Sequence, residues 1–570
     1  MKKLRFGTPE AIVPTKFCRD LRYEETDIKY DVNHFKFKTT ARGCVLEFPL
    51  SEEEQIYGFG LQLKDFNHKN QKIRLCSNSD PCAHTGDSHA PVPFFVSTAG
   101  YGIYFDTARY LEAHCGFGKN KNRKANPDNT IIVSVEDLYR KCGLREETVM
   151  SVEIPVAKGI DIYIFEGDTI LDVVSQYNMF SGGGCEVPEW GLGILYRAYA
   201  RYTANEVMEL ARGFREKDIP CDIIGLEPGW QTNTYSCSYV WDTERYPNYK
   251  EMVEYLKEND FHINLWEHAF VNAASPIYKK LHDYSGDYEV WQGLVPDFGT
   301  QEARDIFAEH HRTYLVDLGI DGFKLDECDN SDFGNTWSFP NCSEFPSGMD
   351  GEQYHQLFGT LYMQTILDAL GGTKTLSQVR NAGALAASYP FVLYSDLYNH
   401  KDFIRGIVNS GFSGILWTAE LRDAKSKKEL LRRLQVTVFS VQCLINAWYC
   451  KEVPWKELDC EDEVRKLLKV RKSLAPMLKE AFEAYHTTGK PPVRALVADY
   501  TKDKETYKID DEYIFCDKLI IAPLTTESDM RKVYLPEGDW RDYWTKEPVP
   551  NGWFEVTTEN IPVYERYEIK

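Results

Sequence analysis

From Pro188 to about residue 455 the chain alternates eight times between a short apolar run and a stretch with helical spacing. No other feature limits the fold as much. The runs are Gly191–Tyr196, Cys221–Glu227, His262–His268, Gly322–Asp326, Thr375–Arg380, Phe391–Asp396, Gly414–Glu420 and Leu444–Tyr449. Between them, Ala204–Lys217 (with Thr203 as a cap) and Arg304–Leu318 carry the 3.6-residue period of amphipathic helices. Strand–helix alternation calls for parallel strands covered by helices. A doubly wound open sheet alternates too, but eight units in about 265 residues is the size of a closed (β/α)8 TIM barrel. The predicted class is therefore α/β.

The flanks read differently. Up to about residue 180, short alternating runs sit between Gly, Asn and Asp turn signals: Lys36–Thr39, Cys44–Phe48, Pro93–Ser97, Gly102–Phe105, Ile131–Val135 and Ile160–Phe165. That is a β-sandwich pattern. After a helical stretch at Asp462–Phe482, β patterning returns at Tyr513–Cys516, Lys518–Pro523, Arg531–Leu535 and Ile561–Tyr564. The division is an N-terminal β-sandwich over 1–180, the barrel over 181–485 and a small C-terminal β-sandwich over 486–570. The segment from Cys328 to Gln353 is too long and too rich in Asn, Ser, Pro and Gly for a simple loop, and reads as an excursion over the barrel mouth.

Composition narrows the partners. With 570 residues the chain exceeds one core, and a net charge of −21 disfavours nucleic acid and anionic membrane. No run of about eighteen apolar residues is present, and the start has no apolar signal core. Fifteen cysteines without a CxxC pair read as reduced thiols in a cytoplasmic protein, with no zinc spacing. No metal and no cofactor is expected. Asp326 to Gly334 is acidic but lacks the spacing of a calcium loop, and Ser181-Gly-Gly-Gly184 lacks the strand, helix and Lys of a phosphate loop. His310-His311 reads as the surface of a helix.

Barrel active sites lie at the C-terminal ends of the strands. Here those ends are polar: Glu227, Glu267 with His268, Asp326 with Glu327, Arg380, Asp396, Glu420 and Asn446. A single such carboxylate is often only a helix cap. Acids at five strand ends facing one mouth point instead to paired-carboxylate chemistry, as in glycoside hydrolysis. Trp190, Trp230, Trp266, Trp291, Trp417 and Trp448 lie on or beside the strands, where indoles serve either barrel packing or an apolar sugar platform.

From about residue 50 to its end the sequence resembles glycoside hydrolase family 31. The resemblance rests on Val187-Pro-Glu-Trp-Gly191, Ile219-Pro-Cys-Asp-Ile-Ile224, Val295-Pro-Asp-Phe-Gly299 and, most specifically, Gly319-Ile-Asp-Gly-Phe-Lys-Leu-Asp326. The C-terminal segments Ile509–Tyr513, Ile520–Pro523 and Val533–Gly538 resemble the family's proximal β domain. The resemblance implies a retaining, exo-acting α-glycosidase with Asp326 as nucleophile and Asp396 as general acid/base. Glu227, Trp230, Trp266, His268, Lys324, Arg380, Trp417, Glu420 and Asn446 would bind the sugar. It also implies a small-molecule or oligosaccharide substrate and admits a homo-oligomer, since related enzymes often assemble.

The chain departs from the family pattern at several positions. Leu393-Tyr394-Ser395 stands where the family has Trp-Ser-Gly before the acid/base, and Ala387-Ser388 replaces a Gln-Arg pair. Glu227 and Glu420 replace Asp, and Asn446 replaces His. Altered hydrogen-bonding partners around the −1 sugar alter the hydroxyl pattern accepted. The expectation is a variant preference, for an α-galactoside or a variant α-glucoside or α-xyloside. An α-transglycosylase or lyase on the same scaffold, and an inactive carbohydrate-binding barrel, are the rival readings.

Overall fold

The computed structural model describes residues 1–118, 148–330 and 337–567, so the expected strand at Ile131–Val135 lies outside the described residues. Eight parallel strands form the central barrel: β1 (Ile194–Arg197), β2 (Ile223–Leu226), β3 (His262–His268), β4 (Gly322–Asp326), β5 (Ser377–Val379), β6 (Phe391–Leu393), β7 and β8 (Cys443–Asn446). Strand β7 is broken into Leu416–Trp417, which pairs with β6, and Glu420–Leu421, which pairs with β8. β8 pairs in turn with β1, so the ring runs through a kink at Thr418-Ala419.

Helices clothe the ring: α1 (Ala204–Glu216), α2 (Tyr249–Glu258), α3 (Gln301–His311), α4 (Gly351–Leu370), α5 (His400–Ser410), α6 (Lys427–Val438) and α7 (Glu461–Thr488). The Thr203 cap of α1 forms as the sequence indicates: Thr203 Oγ1 accepts the Glu206 N–H while the Glu206 carboxylate accepts the Thr203 N–H. Helix α3 stops at His311 and continues as a π-turn over Arg312–Val316. His311 is fully buried rather than on the surface, because it lies on the helix face that packs against the outer side of β3 and β4.

Two five-stranded antiparallel sheets precede the barrel. One contains Lys2–Thr8, Lys158–Glu166, Tyr101–Asp106, Pro91–Ser97 and Ile56–Gly60. The other contains Lys36–Thr39, Gly43–Pro49, Thr148–Pro155, Leu111–Gly118 and Lys72–Leu75. Between them lie Phe48, Phe95, Phe105, Ile103, Val152 and Ile164, all removed from water. Phe94 and Tyr177 stack at 4.0 Å and join the sandwich to the helix Ile170–Phe180 that leads into the barrel. The C-terminal region holds a six-stranded sheet and the antiparallel pair Met530–Leu535 with Gly552–Thr557 around Ile514, Leu535 and Trp540.

The two-residue period of the strands sorts the barrel side chains. In β4, Lys324 and Asp326 point into the barrel, while Phe323 packs on His311 of α3. In β3, Asn264, Trp266 and His268 share the parity of the neighbouring Lys324 and Asp326. Glu267 therefore faces the helices, where its carboxylate accepts from Tyr362 Oη (2.6 Å) and pairs with His311 Nε2 (3.0 Å). Of the acids expected to share the mouth, Glu267 is the one the fold turns away.

Candidate active site

The floor of the mouth is a fully buried polar layer. Arg197, at the end of β1, reaches Asn264 Oδ1 (2.7 Å) and Gln378 Oε1 (3.2 Å) and hydrogen-bonds Glu227 through Nε. Gly225 makes this possible, since a Cβ there would come within 2.9 Å of the Arg197 guanidinium. Lys324 Nζ lies 3.2 Å from Glu227 Oε2. Burial alone would raise the Glu227 carboxyl, but the charges of Arg197 and Lys324 outweigh it and hold it below its ordinary value. Glu227 is thus a carboxylate with two cations already in place. Arg197 escaped the sequence reading because the first apolar run ends at Tyr196, one residue short of the strand end the structure shows.

Asp326 and Asp396 are brought together by one guanidinium. Arg380, after β5, has Nε 3.8 Å from Asp326 Oδ1 and Nη1 2.7 Å from Asp396 Oδ2. The fixed planar fork of an arginine then holds the two carboxylates within roughly 9 Å of each other. Asp326 is nearly buried and accepts from Trp266 Nε1 (2.7 Å) and from the Glu327 N–H (3.0 Å). Its pKa is raised, chiefly by burial, with Arg380 and Lys324 opposing and Asp396 adding. The Asp396 side chain is 56% exposed. Its pKa is displaced the other way: desolvation raises it, but Arg380, Lys324 and Arg422 prevail, and it rests as an anion.

Tyr394, which stands in the family's Ser position, lies between the cations, with Lys324 Nζ 4.8 Å and the Arg380 guanidinium carbon 5.4 Å from its ring centre. On the far side, Glu420 pairs with Arg422 and accepts from Asn446 Nδ2 (3.1 Å). Arg422 also donates to the Asp396 carbonyl (2.9 Å) and lies 3.6 Å from its carboxylate. Arg422 is not legible from the strand ends, since it follows Glu420 by two residues. Glu327, next to Asp326, has a left-handed backbone (φ 55°) and a carboxyl pushed up to about 8 by burial and by the neighbouring Asp326 charge.

The expected aromatic platform is only partly there. Trp266 holds Asp326, and His268 packs among Tyr235, Trp266, Trp291 and Phe270 with its pKa lowered to about 3 by burial, so it is a neutral imidazole. Tyr235 and Trp291, in contact at 4.9 Å, complete this wall, and Tyr235 is half exposed. Trp230 and Trp417 do not join it. Trp230 is buried against Trp241, and its indole donates to the Trp266 carbonyl (2.6 Å). Trp417 faces α5, donating to the Phe403 carbonyl (3.1 Å) and lying edge-on to the Phe403 ring. The one His/carboxylate cluster among the described residues with metal-like spacing, Glu112, His114 and Glu153, lies on the N-terminal sandwich, not in the mouth.

A parallel barrel with two carboxylates on one arginine at its C-terminal face defines a class: TIM-barrel proteins equipped for paired-carboxylate chemistry. Comparison with known proteins gives the family. Residues 185–481 match the family 31 glycosyl hydrolase TIM-barrel domain, 489–568 the family's C-terminal domain and 18–112 its N-terminal galactose mutarotase-like domain. The chain belongs to glycoside hydrolase family 31.

Among its relatives, alpha-glucosidase 2 of Bacillus thermoamyloliquefaciens is 27% identical, covering 92% of this chain and 68% of its own. An alpha-xylosidase of Emericella nidulans is 23% identical over 87% of this chain and 63% of its own. The chain thus spans about two thirds of the length of these relatives. Among solved structures, the Flavobacterium johnsoniae GH31 dextranase complexed with glucose superposes with a TM-score of 0.80 at 21% identity, over 94% of this chain and 68% of that one. A GH31 alpha-xylosidase from a soil metagenome complexed with xylose gives 0.76 at 22%, over 94% and 81%.

Proposed function

We propose that this chain is a retaining, exo-acting α-glycosidase. Asp326 attacks the anomeric carbon of a terminal α-linked sugar while Asp396 protonates the departing oxygen. Asp396 then deprotonates the water that releases the sugar with retained configuration. The observation that carries this reading is the Arg380 guanidinium in contact with both carboxylates. Asp326, at the end of β4, is oriented by the Trp266 indole and the Glu327 N–H, as a nucleophile requires. Asp396, beyond β6, has a side chain more than half exposed, so a leaving group entering the mouth can reach it. A glycoside filling the mouth displaces water from Asp396, which raises the cost of its charge and favours the protonated form.

The sugar is proposed to be neutral. Each cation on the floor already has a carboxylate partner: Arg197 and Lys324 with Glu227, Arg380 with Asp329 and Asp396, and Arg422 with Glu420. The pairing of Glu420 with Asn446 and Arg422 is the part of the pocket expected to select among α-galactosides, α-glucosides and α-xylosides. A panel of nitrophenyl α-glycosides, with the anomer of the first product read by NMR, tests the activity. Asp326→Ala should retain less than about a hundredth of the wild-type rate. A higher residual rate, or first release of the β-anomer, would refute the assignment.

A further inference from the structure

The N-terminal sandwich reaches into this site. His89, buried just before the strand Pro91–Ser97, has Nδ1 2.7 Å from Asp329 Oδ2 and Nε2 2.7 Å from Ser395 Oγ. Asp329 lies three residues beyond Asp326, and Ser395 precedes Asp396. Asp329 Oδ2 also receives Arg380 Nε at 3.2 Å. The same segment holds the loop after β5, because Asn381 Nδ2, next to Arg380, donates to the His89 carbonyl (2.6 Å) and to Ser77 Oγ (3.1 Å). Ser77 Oγ in turn donates to the Asp329 carbonyl (2.9 Å). One stretch of a separate domain therefore touches the three loops that carry Asp326, Arg380 and Asp396.

We infer that His89 is a positioning residue for the proposed glycosidase chemistry, holding Asp329 so that the Arg380 guanidinium stays divided between Asp326 and Asp396. The inference rests on the functional reading above. Hydrogen-bond bookkeeping supports it. Ser395 Oγ accepts the Leu397 N–H at 3.0 Å, so its own hydrogen is available to His89 Nε2. The Nδ1 hydrogen then goes to the Asp329 carboxylate. The charged groups facing this imidazole are Asp329 directly, Arg380 through Asp329, and Asp326, Glu327 and Asp396 through Arg380. Without the His89 donor, Asp329 must satisfy itself on Arg380 and draws the guanidinium away from Asp396.

The test uses the full chain with His89→Ala, His89→Asn and His89→Gln. The Asn amide overlies Nδ1 and keeps the Asp329 bond, whereas the Gln amide overlies Nε2 and keeps only the Ser395 bond. Titration of Asp396 by carboxylate 13C NMR, with its signal identified by loss in Asp396→Asn, needs no turnover. It therefore stays readable if the hydrolase reading itself is wrong. The expected result for His89→Ala is an Asp396 midpoint raised by about half a pH unit or more. Its kcat should fall about tenfold with KM changed less than about threefold. His89→Asn should restore both and His89→Gln neither. If His89→Ala lowers only the melting temperature, or the Asn and Gln variants behave alike, His89 is a structural strut and the inference is overturned. Should His89→Ala fail to fold, the Asn-versus-Gln comparison alone decides in the same way.

Discussion

Arg380 places its Nη1 2.7 Å from Asp396, so the group proposed to give up a proton rests as an ion-paired carboxylate. A proton donor needs a raised pKa. The raised one belongs to Asp326, and Arg380 works to lower both. Replacing Arg380 by Gln removes that shared charge while keeping a polar side chain. Both limbs of the kcat/KM profile against pH should then move upward, because each carboxyl keeps its proton to higher pH once the shared cation is gone. The two apparent values belong to the coupled pair. Turnover should fall by about a hundredfold or more, since a preorganised charge at the reacting centre is lost. A pH series of initial rates for wild type and Arg380→Gln reads both effects.

Glu327 gives a stability prediction with a definite sign. Its carboxyl is pushed up to about 8, so between its ordinary value and that pH the folded chain keeps a proton that the unfolded chain has released. The unfolded state binds fewer protons in this window, and the wild-type fold loses stability as pH rises through it. Glu327→Gln, which cannot ionise, should lose less over the same range. Urea midpoints measured at about pH 5 and about pH 8 should show the variant gaining on wild type at the higher pH.

Trp266 and Trp417 were equivalent candidates by residue type and should prove opposite by experiment. Trp266→Phe keeps a ring but removes the 2.7 Å hydrogen bond to Asp326. A charge-assisted bond of this kind contributes about 1.5–3 kcal/mol, so kcat/KM should fall about ten- to hundredfold. Trp417→Phe removes the bond to the Phe403 carbonyl on the helix side, so it should lower the unfolding midpoint and leave kcat and KM within about threefold. Steady-state kinetics and thermal melts on the two variants separate the roles.

How far this was legible in the sequence follows from strand periodicity. The eightfold alternation sufficed for the barrel, because run length and helical spacing are local properties. The inward set Lys324 and Asp326 was legible because the two lie two residues apart at a strand end, and His268 is level with Asp326 in the neighbouring strand. The same rule would have set Glu267 aside, since it lies one residue from both Trp266 and His268. Trp417 and Glu420 are three apart, opposite in parity, although the break in β7 makes counting through it unsafe. Tertiary neighbours were not legible. Nothing local joins His89 to Ser395, 306 positions away, or Arg197 to Gln378 across the barrel.

His311 supplies the last prediction, because it was expected on the surface and is instead fully buried against Glu267. Its Nδ1 meets the Phe307 carbonyl (2.8 Å) and its Nε2 the Glu267 carboxylate, whose other oxygen accepts from Tyr362 Oη. Glu267 shares β3 with Trp266 and His268 but points the other way, so this pair is the outer anchor of the strand whose Trp266 hydrogen-bonds Asp326. His311→Ala leaves a buried acceptor without a partner and a gap beside Phe307 and Phe323. The unpaired acceptor alone should cost about 1–3 kcal/mol of stability. The barrel ring keeps β3 in register, so residual activity at low temperature should stay near wild type while thermal inactivation accelerates. A time course of activity at several temperatures distinguishes this from a catalytic role, which would lower the rate equally at all of them.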